Sequence, residues 1–127
     1  MNQRNRRLRD HFIAGKEYVS RADNRSVIIN KDYDLIDGQT ITNIIGTLYT
    51  SAIVKRTIDK NGCNTFWINY SNWRTRTTTA AIKACIPGGW EIRGYKLYTP
   101  KLATITIPNT GWVELKEPLD AYLDRWS

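Results

Sequence analysis

Histidine, cysteine and acid are all scarce in this chain, and each scarcity removes a class of chemistry. One histidine and two cysteines stand among 127 residues. His11 is the one histidine and sits among arginines, so the usual general base near neutral pH is poorly supplied. Cys63 and Cys85 with His11 would give three ligands of a four-ligand zinc site, and no carboxylate stands at a spacing that completes it. No metal and no cofactor is expected. With no secretion signal the two thiols are expected to stay reduced; their spacing leaves open whether they lie near each other.

Long apolar runs are missing as well. None approaches the roughly 20 residues of a membrane-spanning helix, and Met1-Asn2-Gln3-Arg4-Asn5-Arg6-Arg7 leads into no signal-peptide core. The expectation is a protein without membrane association, working in the cytoplasm. Motifs of catalysis are absent too, with no Gly-x-Ser-x-Gly elbow and no Gly-x-x-x-x-Gly-Lys-Ser/Thr phosphate loop. Asp32 with Asp34 and Asp120 with Asp124 lie in loop or helix contexts that favour solvated or capping roles. No catalytic residue is assigned, and the chain is expected to be non-enzymatic.

What is present is positive charge, unevenly placed. The net charge is +7, from 19 Lys and Arg against 12 Asp and Glu. Residues 1–30 carry seven basic side chains against three acidic ones, a net +4, and residues 61–90 carry Arg74, Arg76 and Lys83 with no acid at all, a net +3. The other two stretches balance. If the two basic segments adjoin in the fold, they form one patch that attracts phosphate backbones or an acidic protein surface. The plainer reading is a solvated surface that keeps the protein soluble.

Hydrophobic content of 41% and charged content of 24% are ordinary for a globular chain, and the length suits one domain over 1–127. From Gln3 to about Lys16, Leu8, Phe12 and Ile13 form a narrow stripe beside four arginines. That stretch reads as a short basic helix, or, over residues 1–9, as a flexible arm that becomes helical when docked. Ser26–Asn30 reads as a strand and Lys31–Gly38 as an acidic loop. Asp59-Lys60-Asn61-Gly62 suits a hairpin turn joining a strand near Leu48–Ile58 to one near Thr65–Tyr70. A threonine-capped helix over about Thr77–Ile86, with Ile82, Cys85 and Ile86 inward, ends at Pro87-Gly88-Gly89. Trp90–Tyr98, Leu102–Ile107 and Trp112–Lys116 read as three more strands. After Pro118, Leu119, Tyr122, Leu123 and Trp126 share one face of a C-terminal helix. Leu48-Tyr49-Thr50 recurs as Leu97-Tyr98-Thr99, a faint echo of duplicated hairpins. The expected fold is α+β: an antiparallel sheet of about four to six strands covered by a basic N-terminal helix, a short central helix and a C-terminal helix.

The stretch Phe66–Thr79 interleaves aromatic rings, guanidinium groups and hydroxyls just ahead of a helix start. Free amides at a helix N-terminus receive phosphate, arginine makes bidentate phosphate or guanine contacts, and aromatic rings stack on bases. Strand alternation also allows Phe66, Ile68 and Tyr70 to be core, and the threonines to be no more than a cap. The candidate binding residues are Arg4, Arg6, Arg7, Arg9, Trp73, Arg74, Arg76, Thr77, Thr78 and Lys83.

Across residues 46–86 the chain resembles a small domain of phage-encoded proteins of uncharacterised function. The resemblance is carried by Tyr49, Thr50, Ala52 and Ile53, then Trp67 and Asn69, then Trp73, Arg74, Thr75, Thr77 and Thr78; Ser71-Asn72 stands where that family has two glycines. It implies a viral origin, and hence action in a host cell, without implying an activity. Two functions follow as expectations. One is nucleic-acid binding, DNA or RNA, through phosphate contacts from the arginines and the Trp73–Thr79 turn. The other is an anti-defence or host-takeover protein, for example an anti-CRISPR, that covers an acidic or nucleic-acid-binding surface of a host complex. An exposed edge strand would allow a homodimer.

Overall fold

The computed structural model describes residues 1–33 and 35–117. Asn2 starts helix α1 (Gln3–Ala14), its side-chain oxygen accepting from the Asn5 amide at 2.8 Å. Gly15 ends it in the left-handed conformation, φ 66°, which glycine adopts without the penalty a Cβ brings. Asn5, Leu8 and Phe12 recur at helical spacing and are the buried face of this helix. Residues 3–9 are therefore the first turns of a packed helix.

The chain continues through β1 (Tyr18–Ser20), β2 (Arg25–Tyr33), β3 (Thr40–Leu48), β4 (Ser51–Ile58) and β5 (Asn64–Ile68) to helix α2 (Arg76–Cys85). Four short strands follow: β6 (Glu91–Arg93), β7 (Lys96–Tyr98), β8 (Thr104–Thr106) and β9 (Val113–Glu114). The fold is α+β. Its main sheet has six antiparallel strands in the order β1-β2-β3-β4-β5-β9, and β6-β7-β8 form a separate antiparallel sheet. The sequence reading holds one sheet only; the second arises because Trp90–Tyr98 folds into two strands about Gly94, φ 61°.

Both helices lie on one face of the main sheet, α1 against β2 and β3, α2 against β4, and each against the other. Val27, Gly46, Val54 and Ile68 stand opposite one another across β2 to β5. Glycine is required in that row. A Cβ at Gly46 would lie 2.5 Å from Val54 Cγ2 and 3.5 Å from Leu8 Cδ1, so its absence lets α1 settle on the sheet. One row along, Arg56 donates through Nη2 to the carbonyls of Phe12 and Ile13 at 3.0 Å each, tying the end of α1 to the sheet; the Phe12 oxygen also accepts from Gly15 N. Between Gly46 and Thr47 the register shifts, leaving Ile53 as an extra residue on β4. The bulge falls where consecutive Ile53 and Val54 are both buried.

Several boundaries differ from expectation. The strand expected near Leu48–Ile58 is β4, paired with β5 as expected, but it starts at Ser51 because Leu48 ends β3 and Tyr49-Thr50 form a tight turn. β2 continues through Lys31, Asp32 and Tyr33, taking the start of the acidic loop into the sheet because Thr40–Thr42 pair with it. α2 begins at Arg76 with Thr75 as its cap, and Ile86 is the C-cap, half-buried and packed against the core; Ala81, Ile82, Ala84 and Cys85 are buried. The Leu-Tyr-Thr echo has no structural counterpart, since Tyr49-Thr50 form a turn whereas Leu97-Tyr98 lie in β7. The C-terminal helix expected over 119–126 lies outside the described residues. Cys63 is exposed and Cys85 buried, both free, and burial pushes the Cys85 thiol up to about 12.

Candidate functional site

The cap of α2 is built by Thr75, whose hydroxyl oxygen accepts from the Thr78 amide at 3.1 Å while its carbonyl accepts from the Thr79 amide at 3.0 Å. The amides of Arg76 and Thr77 have no bonding partner among the described residues, as expected at a helix start. The approach to this helix is pinned tightly. Ser71 and Asn72 take φ 51° and 69°, the left-handed region where glycine is usual. Asn69 Oδ1 accepts from Ser71 N at 2.7 Å and Gly111 N at 3.0 Å, and Asn72 N donates to Asn109 O at 2.8 Å.

That pinning decides the fate of two candidates. Arg74 is part of the scaffold: it donates to the Ile107 carbonyl, and its guanidinium lies 4.8 Å from the Tyr95 ring centre. Tyr95 returns a bond from its hydroxyl to the Arg74 carbonyl at 2.9 Å. Thr78 is buried, and its hydroxyl accepts from Thr75 at 3.1 Å. Trp73, by contrast, is 60% exposed, and Arg76, Thr77 and Lys83 project from α2 as exposed side chains.

The arginines of α1 divide in the same way. Arg7 clamps Asp23 with two bonds of 2.7 and 2.9 Å, and Tyr18 adds a third from its hydroxyl at 2.7 Å. Arg7 and the Tyr18 hydroxyl hold the Asp23 carboxyl well below the usual carboxylate range. Arg9 pairs with Asp10 at 3.0 Å. Arg4 and Arg6 are exposed, and their guanidinium groups make no hydrogen bond or ion pair among the described residues. The two basic segments do adjoin, because α1 and α2 pack side by side. Lys83 lies near enough to Glu91 to lower its pKa, although Arg93 at 2.9 Å has the larger effect.

Three hollows run across this surface. One of about 630 Å³ lies between the starts of α1 and α2 and is bordered by Asn2, Asn5, Thr75, Arg76, Thr79 and Lys83. A second, about 470 Å³, lies between Tyr49 and Trp73 beside the first turn of α2. A third, about 210 Å³, is bordered by Arg21, Asn24 and Arg25. They adjoin through shared residues: Thr75 borders the first two, Tyr49 and Thr50 the last two, and no Asp or Glu among the described residues lines any of them.

Sequence reasoning misses Tyr49 and Arg21 as candidates. Tyr49 is 60% exposed and, with Thr50, sits at positive φ, 51° and 73°. Such a turn normally uses Asn-Gly, and that conformation costs each residue on the order of 1 kcal/mol. The signal that could have found it is one of length: the β-rich run from Thr40 to Ile58 is far longer than the usual five or six residues of a strand, so a turn has to fall inside it.

Among the described residues no three His, Cys, Asp or Glu side chains gather to hold a metal ion, and no helix is long and apolar enough to cross a membrane. No family model matches this chain, and neither a curated protein nor a solved structure matches it.

Proposed function

We propose that this is a non-enzymatic nucleic-acid-binding protein that follows a sugar-phosphate backbone across the first turn of α2. The observation that carries the reading is the set of three adjoining hollows, lined by no Asp or Glu among the described residues, bordered by Arg21, Arg76 and Lys83 and flanked by exposed Tyr49 and Trp73. A polyanion needs three things of a surface: cations not already matched by carboxylates, amide donors, and no fixed negative charge along its path. Arg76 and Lys83 form no ion pair among the described residues, and the Arg76 and Thr77 amides add donors at the positive end of the α2 dipole. The candidate contacts thus become Arg4, Arg6, Arg76, Thr77, Lys83, Trp73, Tyr49 and Arg21. Arg7, Arg74 and Thr78 act in the scaffold. A phage protein working in the cytoplasm of a host cell is the setting that the sequence resemblance suggests.

Contacts of this kind grip phosphate and read little sequence. The test is fluorescence anisotropy with labelled single- and double-stranded DNA and RNA over a range of salt. Wild type should bind saturably, with log Kd rising linearly with log salt, and Arg76→Ala/Lys83→Ala should lower that slope by about one for each phosphate no longer neutralised. No binding of any of the four ligands at low salt would sink the reading.

A further inference from the structure

We propose that the hollow between Tyr49 and Trp73 holds a nucleobase lifted out of its stack, which makes single-stranded nucleic acid the partner. This inference rests on the nucleic-acid reading above and adds to it the class of strand.

The two rings are the most exposed aromatic side chains bordering any of the hollows, 60% each. Neither ring stacks on another, lies under a cation, or uses its polar atom in a hydrogen bond among the described residues, so both keep open faces. Several other aromatics are already engaged: Tyr18 stacks on His11 at 4.3 Å, Tyr95 meets Tyr70 edge-on at 5.6 Å, and Trp67 and Trp112 both lie near the Lys55 ammonium, while exposed Tyr33 borders none of the three hollows. Buried Leu48 and Ile53 also border the hollow and give it an apolar base, while Thr50, Ser51 and Thr77 place hydroxyls on its border. Its volume of about 470 Å³ is in the range of roughly 300–1,000 Å³ that holds small organic ligands.

That combination suits a flat heteroaromatic ring with a polar edge. Aromatic side chains stack on any base, because every base has a π-face. A hydroxyl both donates and accepts, so Thr50, Ser51 and Thr77 can meet the edge of a purine or a pyrimidine without selecting one. The main chain carrying both rings is fixed, Tyr49 N donating to Asn24 O at 2.9 Å and Trp73 N to Tyr70 O at 2.8 Å, so little order has to be gained on binding. A duplex keeps its base faces inside its own stack and cannot fill the hollow. A single strand can, with its phosphates passing to Arg76 and Thr77 on one side and Arg21 on the other.

Equal charge with and without bases separates this inference from the nucleic-acid reading. Labelled 12-residue DNA strands, one with thymine bases and one abasic throughout, are titrated at one low salt concentration, alongside a duplex of the same length. The thymine strand should bind at least about tenfold more tightly than the abasic strand and the duplex. Trp73→Ala and Tyr49→Ala should each remove most of that difference, whereas Trp73→Phe, which keeps a ring, should retain it; circular dichroism and thermal unfolding confirm that each variant folds. Equal binding of thymine and abasic strands overturns the base-holding hollow and leaves phosphate gripping intact. A duplex bound as tightly as the single strand overturns it as well. If none of the three DNA ligands binds and the RNA ligands of the preceding test do not bind either, both readings fall, and occupancy of the hollow by a protein side chain or a second copy would then be sought.

Discussion

The corner where α1 meets the β1–β2 turn and the first turn of α2 are both rich in cations, yet the two regions use them differently. At the corner Arg7 grips Asp23, Tyr18 joins the same carboxylate, and buried Arg25 donates to Asn5 Oδ1 at 2.9 Å and to the Asp23 carbonyl. Arg7, Asp23 and Arg25 each have a partner inside the molecule. At α2 the guanidinium of Arg76 and the ammonium of Lys83 have no ion-pair partner among the described residues. A count of basic residues therefore says little about function until each is asked whether the fold already supplies its acceptor. Arg7 and Arg74 belong to the fold; Arg76 and Lys83 are available to a partner.

Substitution should separate the two regions sharply. The largest effect is expected at the corner: Arg25→Met leaves Asn5 Oδ1 and the Asp23 carbonyl without their donor, and urea unfolding should show a loss of about 2–3 kcal/mol, since buried hydrogen bonds to charged groups are worth about that much. A loss below about 0.5 kcal/mol would break the comparison, because Arg25 would then be no more structural than a surface residue.

Acid probes the same corner more gently. The folded pKa of Asp23 is depressed by Arg7 and Tyr18, so its stabilising contribution is complete above the unfolded-chain value of about 3.9 and is lost as pH falls from there toward the folded value. Thermal unfolding of wild type should weaken over that acid range, and Asp23→Asn should be less stable near neutrality with a flatter acid limb. An unchanged limb in Asp23→Asn would show that some other carboxylate governs it.

The smallest effect on stability is expected at α2. Arg76→Ala and Lys83→Ala should each change unfolding free energy by no more than about 0.5 kcal/mol, as exposed residues without partners do. A larger loss in either would place that residue with the corner and against the comparison.

Much of the frame was legible from local chemistry. Thr75–Thr79 ahead of Ala80-Ala81-Ile82, with Pro87-Gly88-Gly89 behind, marks α2 to within about a residue at each end, because caps and breakers act over a few bonds. Asp59–Gly62 marks the β4–β5 turn for the same reason, with Asp59 Oδ1 accepting from Asn61 N and Cys63 N. The Tyr49-Thr50 turn has no such marker. An aromatic and a β-branched residue at positive φ are held there by β3 and β4 pairing around them, and pairing between strands is not written into two residues. The scaffold role of Arg74 escapes sequence reasoning for a related cause. Its partners are Ile107 and Tyr95, more than 20 positions along the chain, and only the fold brings them together. Trp73, Arg76 and Thr77 around the capped start of α2, and Lys83 in its last turn, could be singled out because exposed residues need nothing remote to define them.

The two thiols offer a practical opening. Cys63 sits in the exposed turn after β4, while Cys85 is sealed in the interior with its proton firmly held. The eight residues of β4 at about 3.3 Å each put roughly 25 Å between that turn and the one at Tyr49-Thr50. A maleimide dye or a surface tether should therefore attach at one place in the unmodified chain. The molecule comes with a single reactive handle, at the far end of a strand from the ligand it would be used to watch.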